Sequence, residues 1–141
     1  MSLAEIEAAI PHRKPMLLLD EIVERDEQRI VCRKTFRDDE FFFQGHYPDL
    51  PLVPGVILCE AAMQSGAVLL SSQLAAAEGA PVATRMNNVK FRQMVRPGDT
   101  IDIEITLNER MADAFFMTAK VSAGGKVAVR FDFACTVAKP Q

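Results

Sequence analysis

A histidine and a glutamate, His46 and Glu60, are the residues of this chain best suited to acid–base chemistry. His46 stands in the run Gly45-His46-Tyr47-Pro48-Asp49-Leu50-Pro51-Leu52-Val53-Pro54-Gly55-Val56. Three prolines fix φ along that run and so limit where the imidazole can go, and histidine is the usual general base near neutral pH. Glu60 falls among Val56, Ile57, Leu58, Cys59, Ala61 and Ala62. A carboxylate sunk in hydrocarbon needs a partner or a proton, and a neutral acid can give its proton to a leaving group. Gln64, one helical turn on, shares the stripe of Glu60. Gly55 opens the apolar run, where unpaired backbone N–H groups and the positive end of a helix dipole can hold a carbonyl oxygen as it gains charge. Each has a plainer reading when taken alone: an acid bonded to a loop, a histidine bonded to backbone, a glycine that lets the chain enter a helix. His12, in Pro11-His12-Arg13, has no acid or apolar helix near it in sequence and reads as structural.

These groups need elements to carry them. Ser2-Leu3-Ala4-Glu5 has the form of a capping box, and Ile6, Ala9 and Ile10 fall on one side before Pro11, so a short helix is expected first. Met16 to Val23 and Arg29 to Phe36 read as two strands of a hairpin around the charged turn Glu24 to Gln28. From Pro54 to about Ala77 no wide polar face remains, which predicts a buried helix begun by Pro54, stopped by Gly79 and barred from continuing by Pro81. Such a helix, at ~1.5 Å per residue, would run roughly 36 Å, too long for a small domain to hide unless something wraps it.

The second half of the sequence supplies the wrapper. Ile101, Ile103, Ile105 and Leu107 alternate with polar residues, as do Val127, Val129, Phe131, Phe133, Cys135 and Val137 with Ala128, Arg130, Asp132, Ala134 and Thr136. Asn88 to Met94 and Phe115 to Val121 add two strands, with turns at Pro97-Gly98-Asp99 and Gly124-Gly125. One helix followed by four consecutive strands predicts an α+β fold, a curved antiparallel sheet around a long central helix.

Composition narrows the function classes. The 141 residues fit one domain, residues 1–141, and 49% hydrophobic with 25% charged residues is ordinary for a soluble globular chain. A net charge of −3 disfavours nucleic acid as a partner. No stretch has the length of a membrane span and no signal-peptide pattern opens the chain, so a cytoplasmic location is expected. Cys32, Cys59 and Cys135 lack CxxC spacing and read as reduced core thiols, and two histidines without paired ligands predict no metal site.

The proline-ruled string from Gly45 to Val56, followed by Glu60-Ala61 and Gln64, resembles the FabZ-type (3R)-hydroxyacyl-[acyl-carrier-protein] dehydratases. Pro11-His12-Arg13-Lys14-Pro15-Met16-Leu17-Leu18-Leu19-Asp20 is similar to the family's N-terminal segment, and Val89-Lys90-Phe91-Arg92 with Val95-Arg96-Pro97-Gly98-Asp99 to its third block. The family usually has phenylalanine at the position of Tyr47 and glycine at that of Asp49.

The resemblance implies the hot-dog fold and a hydro-lyase of fatty acid biosynthesis that forms trans-2-enoyl-[acyl-carrier-protein]. It implies a homodimer, frequently a trimer of dimers, in which His46 of one chain faces Glu60 of another. His46 and Glu60 would be catalytic, the Gly55 backbone would hold the thioester carbonyl, and Gln64 and Val56 would support them. No cofactor is implied beyond the phosphopantetheine arm of acyl carrier protein, which bears the substrate. Phe42, Phe43 and Phe91 are candidates for lining an acyl tunnel, and Lys90, Arg92 and Arg96 for bordering the carrier's docking surface, against the plainer roles of core packing and solvated strand face. Three alternatives stay open: a hot-dog acyl thioesterase, a dehydratase–isomerase, which typically carries aspartate at the position of Glu60, and a catalytically idle carrier-binding subunit.

Overall fold

The alternating segments pair as strands, and a computed structural model describing residues 3–74 and 79–138 joins six of them in one antiparallel sheet. In chain order the elements are α1 (Leu3–Ala9), β1 (Glu21–Arg25), β2 (Arg29–Thr35), a single 3-10 turn (Phe41–Gln44), α2 (Gly55–Ser71), β3 (Ala80–Phe91), β4 (Thr100–Met111), β5 (Ala114–Ala123) and β6 (Lys126–Ala138). The strands lie in the order β1-β2-β4-β5-β6-β3, and α2 packs across β2, β4 and β5. This is the expected α+β hot-dog arrangement. Register accounts for the dry face: Ile103 is opposite Cys32 and Val121, Ile105 is opposite Ile30 and Ala119, and all are fully or almost fully buried. Gly66 lets α2 approach the sheet, since a Cβ there would stand 2.9 Å from Cζ of Phe133.

The central helix is shorter than its sequence suggests. It covers 17 residues, or about 26 Å at ~1.5 Å each, with Pro54 as its N-cap. At its end the last carbonyls take side-chain donors, one of them from β1. Arg25 Nη2 donates to Val68 O at 2.7 Å, Ser71 Oγ to the same oxygen at 2.6 Å and Ser72 Oγ to Leu69 O at 3.2 Å. The remainder of the expected helix partly falls in residues 75–78, and Ser2 of the capping box is residue 2; both lie outside the described residues.

The strand expected at Met16 to Val23 begins only at Glu21. Met16 N and Leu17 N turn back to Arg13 O at 2.9 and 3.1 Å, and Leu17, Leu18 and Leu19 are buried as core packing rather than as a strand face. β3 begins earlier than Asn88 and ends at Phe91, where Arg92 N and Gln93 N both turn to Ala128 O.

β3 is also the least covered element. It pairs only with β6, lies at the sheet edge, and leaves Val82, Met86 and Phe91 exposed. Long bare edges with apolar side chains are normally paired or covered. Among the described residues, no helix is long and apolar enough to cross a membrane.

Candidate active site

His46 is held by backbone at both ends of its loop. The 3-10 turn is seated by Phe42 and Phe43, both buried, with the Phe42 ring edge-on to Phe36 at 6.0 Å. Gly45 N and His46 N then donate to Phe42 O at 3.3 and 3.1 Å. Across the loop, Leu52 N donates to His46 O at 3.1 Å while His46 Nδ1 lies 3.1 Å from Leu52 O. A carbonyl oxygen only accepts, so in the neutral ring this bond puts the proton on Nδ1 and leaves Nε2 with a free lone pair. Val53 N donates to Val95 O at 2.8 Å, tying the loop's exit to the segment after β3.

α2 begins directly after this loop. Ile57 N and Leu58 N donate to Pro54 O at 2.9 and 3.4 Å, while Gly55 N–H and Val56 N–H have no protein acceptor among the described residues. The ring of Phe91 covers Gly55 so closely that a Cβ there would lie 2.6 Å from its Cε1. The Val56 side chain is 72% exposed.

Glu60 is not sunk in hydrocarbon as its neighbours suggest. Its side chain is 32% exposed, because α2 turns this stripe toward the N-terminal segment rather than the sheet. The apolar residues beside it in sequence occupy other faces of the helix, and burial pushes the Cys59 thiol up to about 11. Gln64 is fully buried and uses its whole amide: Nε2 donates to Glu60 Oε2 at 3.0 Å and to Met16 O at 2.7 Å, and Oε1 accepts from Leu18 N at 2.9 Å. The shared stripe of Glu60 and Gln64 is thus real, and it fastens the carboxyl group to residues 16–18.

That fastening brings in a residue the sequence reading set aside. His12 Nε2 lies 3.7 Å from Glu60 Oε2, so the fold supplies in space the acid that His12 lacks along the sequence. The signal was spatial: no spacing along the chain relates His12 to Glu60. By contrast, no hydrogen bond or ion pair joins His46 to Glu60 among the described residues. His46 bonds Leu52, and Glu60 meets Gln64 and His12.

The remaining candidates separate. Phe42 and Phe43 belong to the core cluster, whereas Phe91 lies half exposed over the start of α2. Lys90 and Arg92 border a cavity of about 330 Å³ together with Arg130 and Asp132. Arg96 is apart from them, in a turn closed by its own N–H to Asp99 Oδ2 at 2.9 Å. Arg130 was missed because it comes from β6, where it stands directly opposite Lys90.

Residues 10–132 match the family model described as a FabA-like domain. A protein of Clostridium perfringens named 3-hydroxyacyl-[acyl-carrier-protein] dehydratase FabZ is 36% identical over 128 residues, covering 91% of this chain and 92% of its own. One of the same name from Caulobacter sp. is 40% identical over 140 residues, covering 97% and 86%. Among solved structures, the dehydratase heterocomplex ApeI:P of Xenorhabdus doucetiae superposes with a TM-score of 0.78 at 18% identity, over 95% of this chain and 91% of that one. The E. coli PaaI protein gives 0.71 at 19% identity, again over 95% and 91%. At such identities these two structures speak for the fold.

Proposed function

The chain belongs to the FabA-like family, among its FabZ-type dehydratases, and from this we propose that it dehydrates (3R)-hydroxyacyl-[acyl-carrier-protein] to the trans-2-enoyl product in fatty acid biosynthesis, with His46 as base and Glu60 of a second copy as acid. The substrate arrives on acyl carrier protein, in the cytoplasm, and no cofactor takes part.

The reaction removes a weakly acidic C2 proton and expels hydroxide, a poor leaving group, so each half needs its own catalyst. Nε2 of His46 takes the C2 proton. The electron pair moves toward the thioester carbonyl, where the free N–H of Gly55 receives the developing charge. Protonated Glu60 gives its proton to the C3 hydroxyl as the C–O bond breaks, and water leaves. The observation that carries this reading is the Leu52 clasp on Nδ1, which fixes the tautomer a general base requires. Two observations support the shared site. His46 and Glu60 have no bond to each other within one chain, and the bare β3 edge with its exposed Val82, Met86 and Phe91 suits pairing with a second copy.

Hydration of a crotonyl thioester, followed by loss of enoyl absorbance and by its return in the reverse direction, tests the activity. His46→Ala and Glu60→Gln should each lower kcat by ~10²–10⁴-fold in a folded dimer. Mixing the two inactive variants should restore part of the activity, because an exchanged dimer regains one intact site. Normal turnover by His46→Ala overturns the assignment, and release of free thiol without hydration replaces it with hydrolysis.

A further inference from the structure

The sequence segment after α1 is pinned on both sides of His12. On the near side, Arg13 Nη1 donates to Ile10 O at 2.9 Å and to His12 O at 2.7 Å, and its Nη2 donates to Glu7 O at 2.9 Å. On the far side, the buried amide of Gln64 holds Met16 O and Leu18 N. His12 is therefore not a free loop residue: its place over α2 follows from two independent sets of hydrogen bonds. That place puts Nε2 at 3.7 Å from Glu60 Oε2, beyond hydrogen-bond range by about 0.5 Å. Separations of this size in unliganded sites commonly tighten when substrate binds.

The other ring nitrogen settles which one carries the proton. Nδ1 of His12 is buried with no hydrogen-bond partner among the described residues. A buried N–H with no acceptor is the costlier way to leave that atom, so the neutral ring keeps its hydrogen on Nε2, the nitrogen that faces Glu60. Gln64 Nε2 already donates to the same carboxyl oxygen, Oε2, at 3.0 Å. Two donors then converge on one oxygen of the carboxyl group.

We propose that His12 is a positioning residue for Glu60: with Gln64 it holds Oε2, so that Oε1 is the oxygen that carries the proton and delivers it to the departing hydroxyl. This rests on the assignment of Glu60 as the acid. It adds a role for the N-terminal segment, which reaches the reacting atoms only through that carboxyl group.

Kinetics of crotonyl thioester hydration by the full-length dimer provide the test, with His12→Phe, His12→Gln, Glu60→Gln and the double variant His12→Phe/Glu60→Gln measured together. His12→Phe should lower kcat about tenfold or more, the loss of one hydrogen bond to a charged or acidic group, while KM stays within about twofold. His12→Gln places an N–H near the position of Nε2 and should recover most of the rate. In the Glu60→Gln background, His12→Phe should change the residual rate less than about twofold, because no acid remains to be positioned.

Wild-type kcat in His12→Phe while Glu60→Gln is silent overturns this inference and leaves the parent reading intact. Equal losses in the Phe and Gln variants, or a full additional loss in the double variant, mean a merely structural histidine and also overturn it. Wild-type rates in Glu60→Gln overturn the parent reading itself. Should His12→Phe fail to fold, His12→Ala takes its place: recovery of kcat with added imidazole supports the inference, and no recovery overturns it.

Discussion

Replacing Gln64 by leucine should damage stability and turnover together, and the size of each effect can be worked out. The side chain is 1% exposed and makes three hydrogen bonds, to Leu18 N, Met16 O and Glu60 Oε2. Leucine fills much of the same volume but accepts and donates nothing. Leu18 is fully buried, so its N–H is left without an acceptor, at a cost of about 1–3 kcal/mol. Met16 is partly exposed and its carbonyl can turn to water, which adds little. Better burial of leucine offsets part of the loss, and a net destabilisation of about 2 kcal/mol is expected.

The catalytic effect is separate. Glu60 loses its one in-range donor, and kcat should fall about tenfold or more with little change in KM. Gln64→Glu sharpens the reasoning. One of its oxygens can still accept from Leu18 N, but the other faces Met16 O and Glu60, where only a protonated acid can donate. In that variant the folded state prefers the neutral acid more than the unfolded state does, so stability should rise as pH falls through the carboxylate range. Urea unfolding at fixed protein concentration, with crotonyl thioester hydration alongside, measures both effects. An unchanged urea midpoint and unchanged kcat in Gln64→Leu would refute the idea that this amide fastens the acid to the N-terminal segment.

Three further outcomes are expected. Lys34 Nζ is 2.8 Å from Glu40 and the side chains are 8% and 13% exposed, so Glu40→Ala strands a buried ammonium with only Asp20 at 3.7 Å; urea unfolding should show a loss of about 3 kcal/mol. Gly55→Ala drives a Cβ to 2.6 Å from Phe91 Cε1, so the ring must swing out; kcat/KM should drop about ten- to a hundredfold while unfolding stays near wild type, and unchanged kinetics would show that the approach at Gly55 is not needed. Burial pushes the Cys32, Cys59 and Cys135 thiols up to about 11, from an ordinary 9.0. Between those values the folded state binds more protons than the unfolded one, so stability falls as pH rises through that window, and at pH 8 alkylation of all three should await unfolding.

Alternation along the chain made the strands of the sheet legible, because a two-residue period is written into Ile101, Ile103 and Ile105 regardless of partners. Ends were harder to read, since they depend on residues far away. At the end of α2, Arg25, from β1, reaches Val68 O, and no propensity at positions 71 to 77 encodes that contact. Met16 to Leu19 has the composition of a strand but is held by Gln64, at Met16 and Leu18, instead of by a neighbouring strand, so burial there came without a ladder. The same contact explains why His12 reads as structural from sequence and Glu60 as a deeply buried acid. A helix stripe shows which residues share a face but not what the face meets.

The two halves of the proposed site are anchored in different ways, and this bears on how the fold can tolerate change. His46 is fixed by main-chain atoms: its own N–H and C=O and the carbonyl of Leu52 form the clasp, so the side chains at Asp49 and Leu50, both exposed, can vary without moving the imidazole, whereas the Tyr47 ring packs against it with centroids 4.5 Å apart. Glu60 is fixed by a side chain, Gln64 within its helix, with His12 beside it at 3.7 Å, and Gln64 is a single point of failure. The departure from the family pattern at Asp49 therefore falls where the structure absorbs it, and the one at Tyr47 keeps an aromatic ring against His46. A comparable departure at Gln64 would not be absorbed, because the buried N–H of Leu18 and the carboxyl group of Glu60 depend on the same amide.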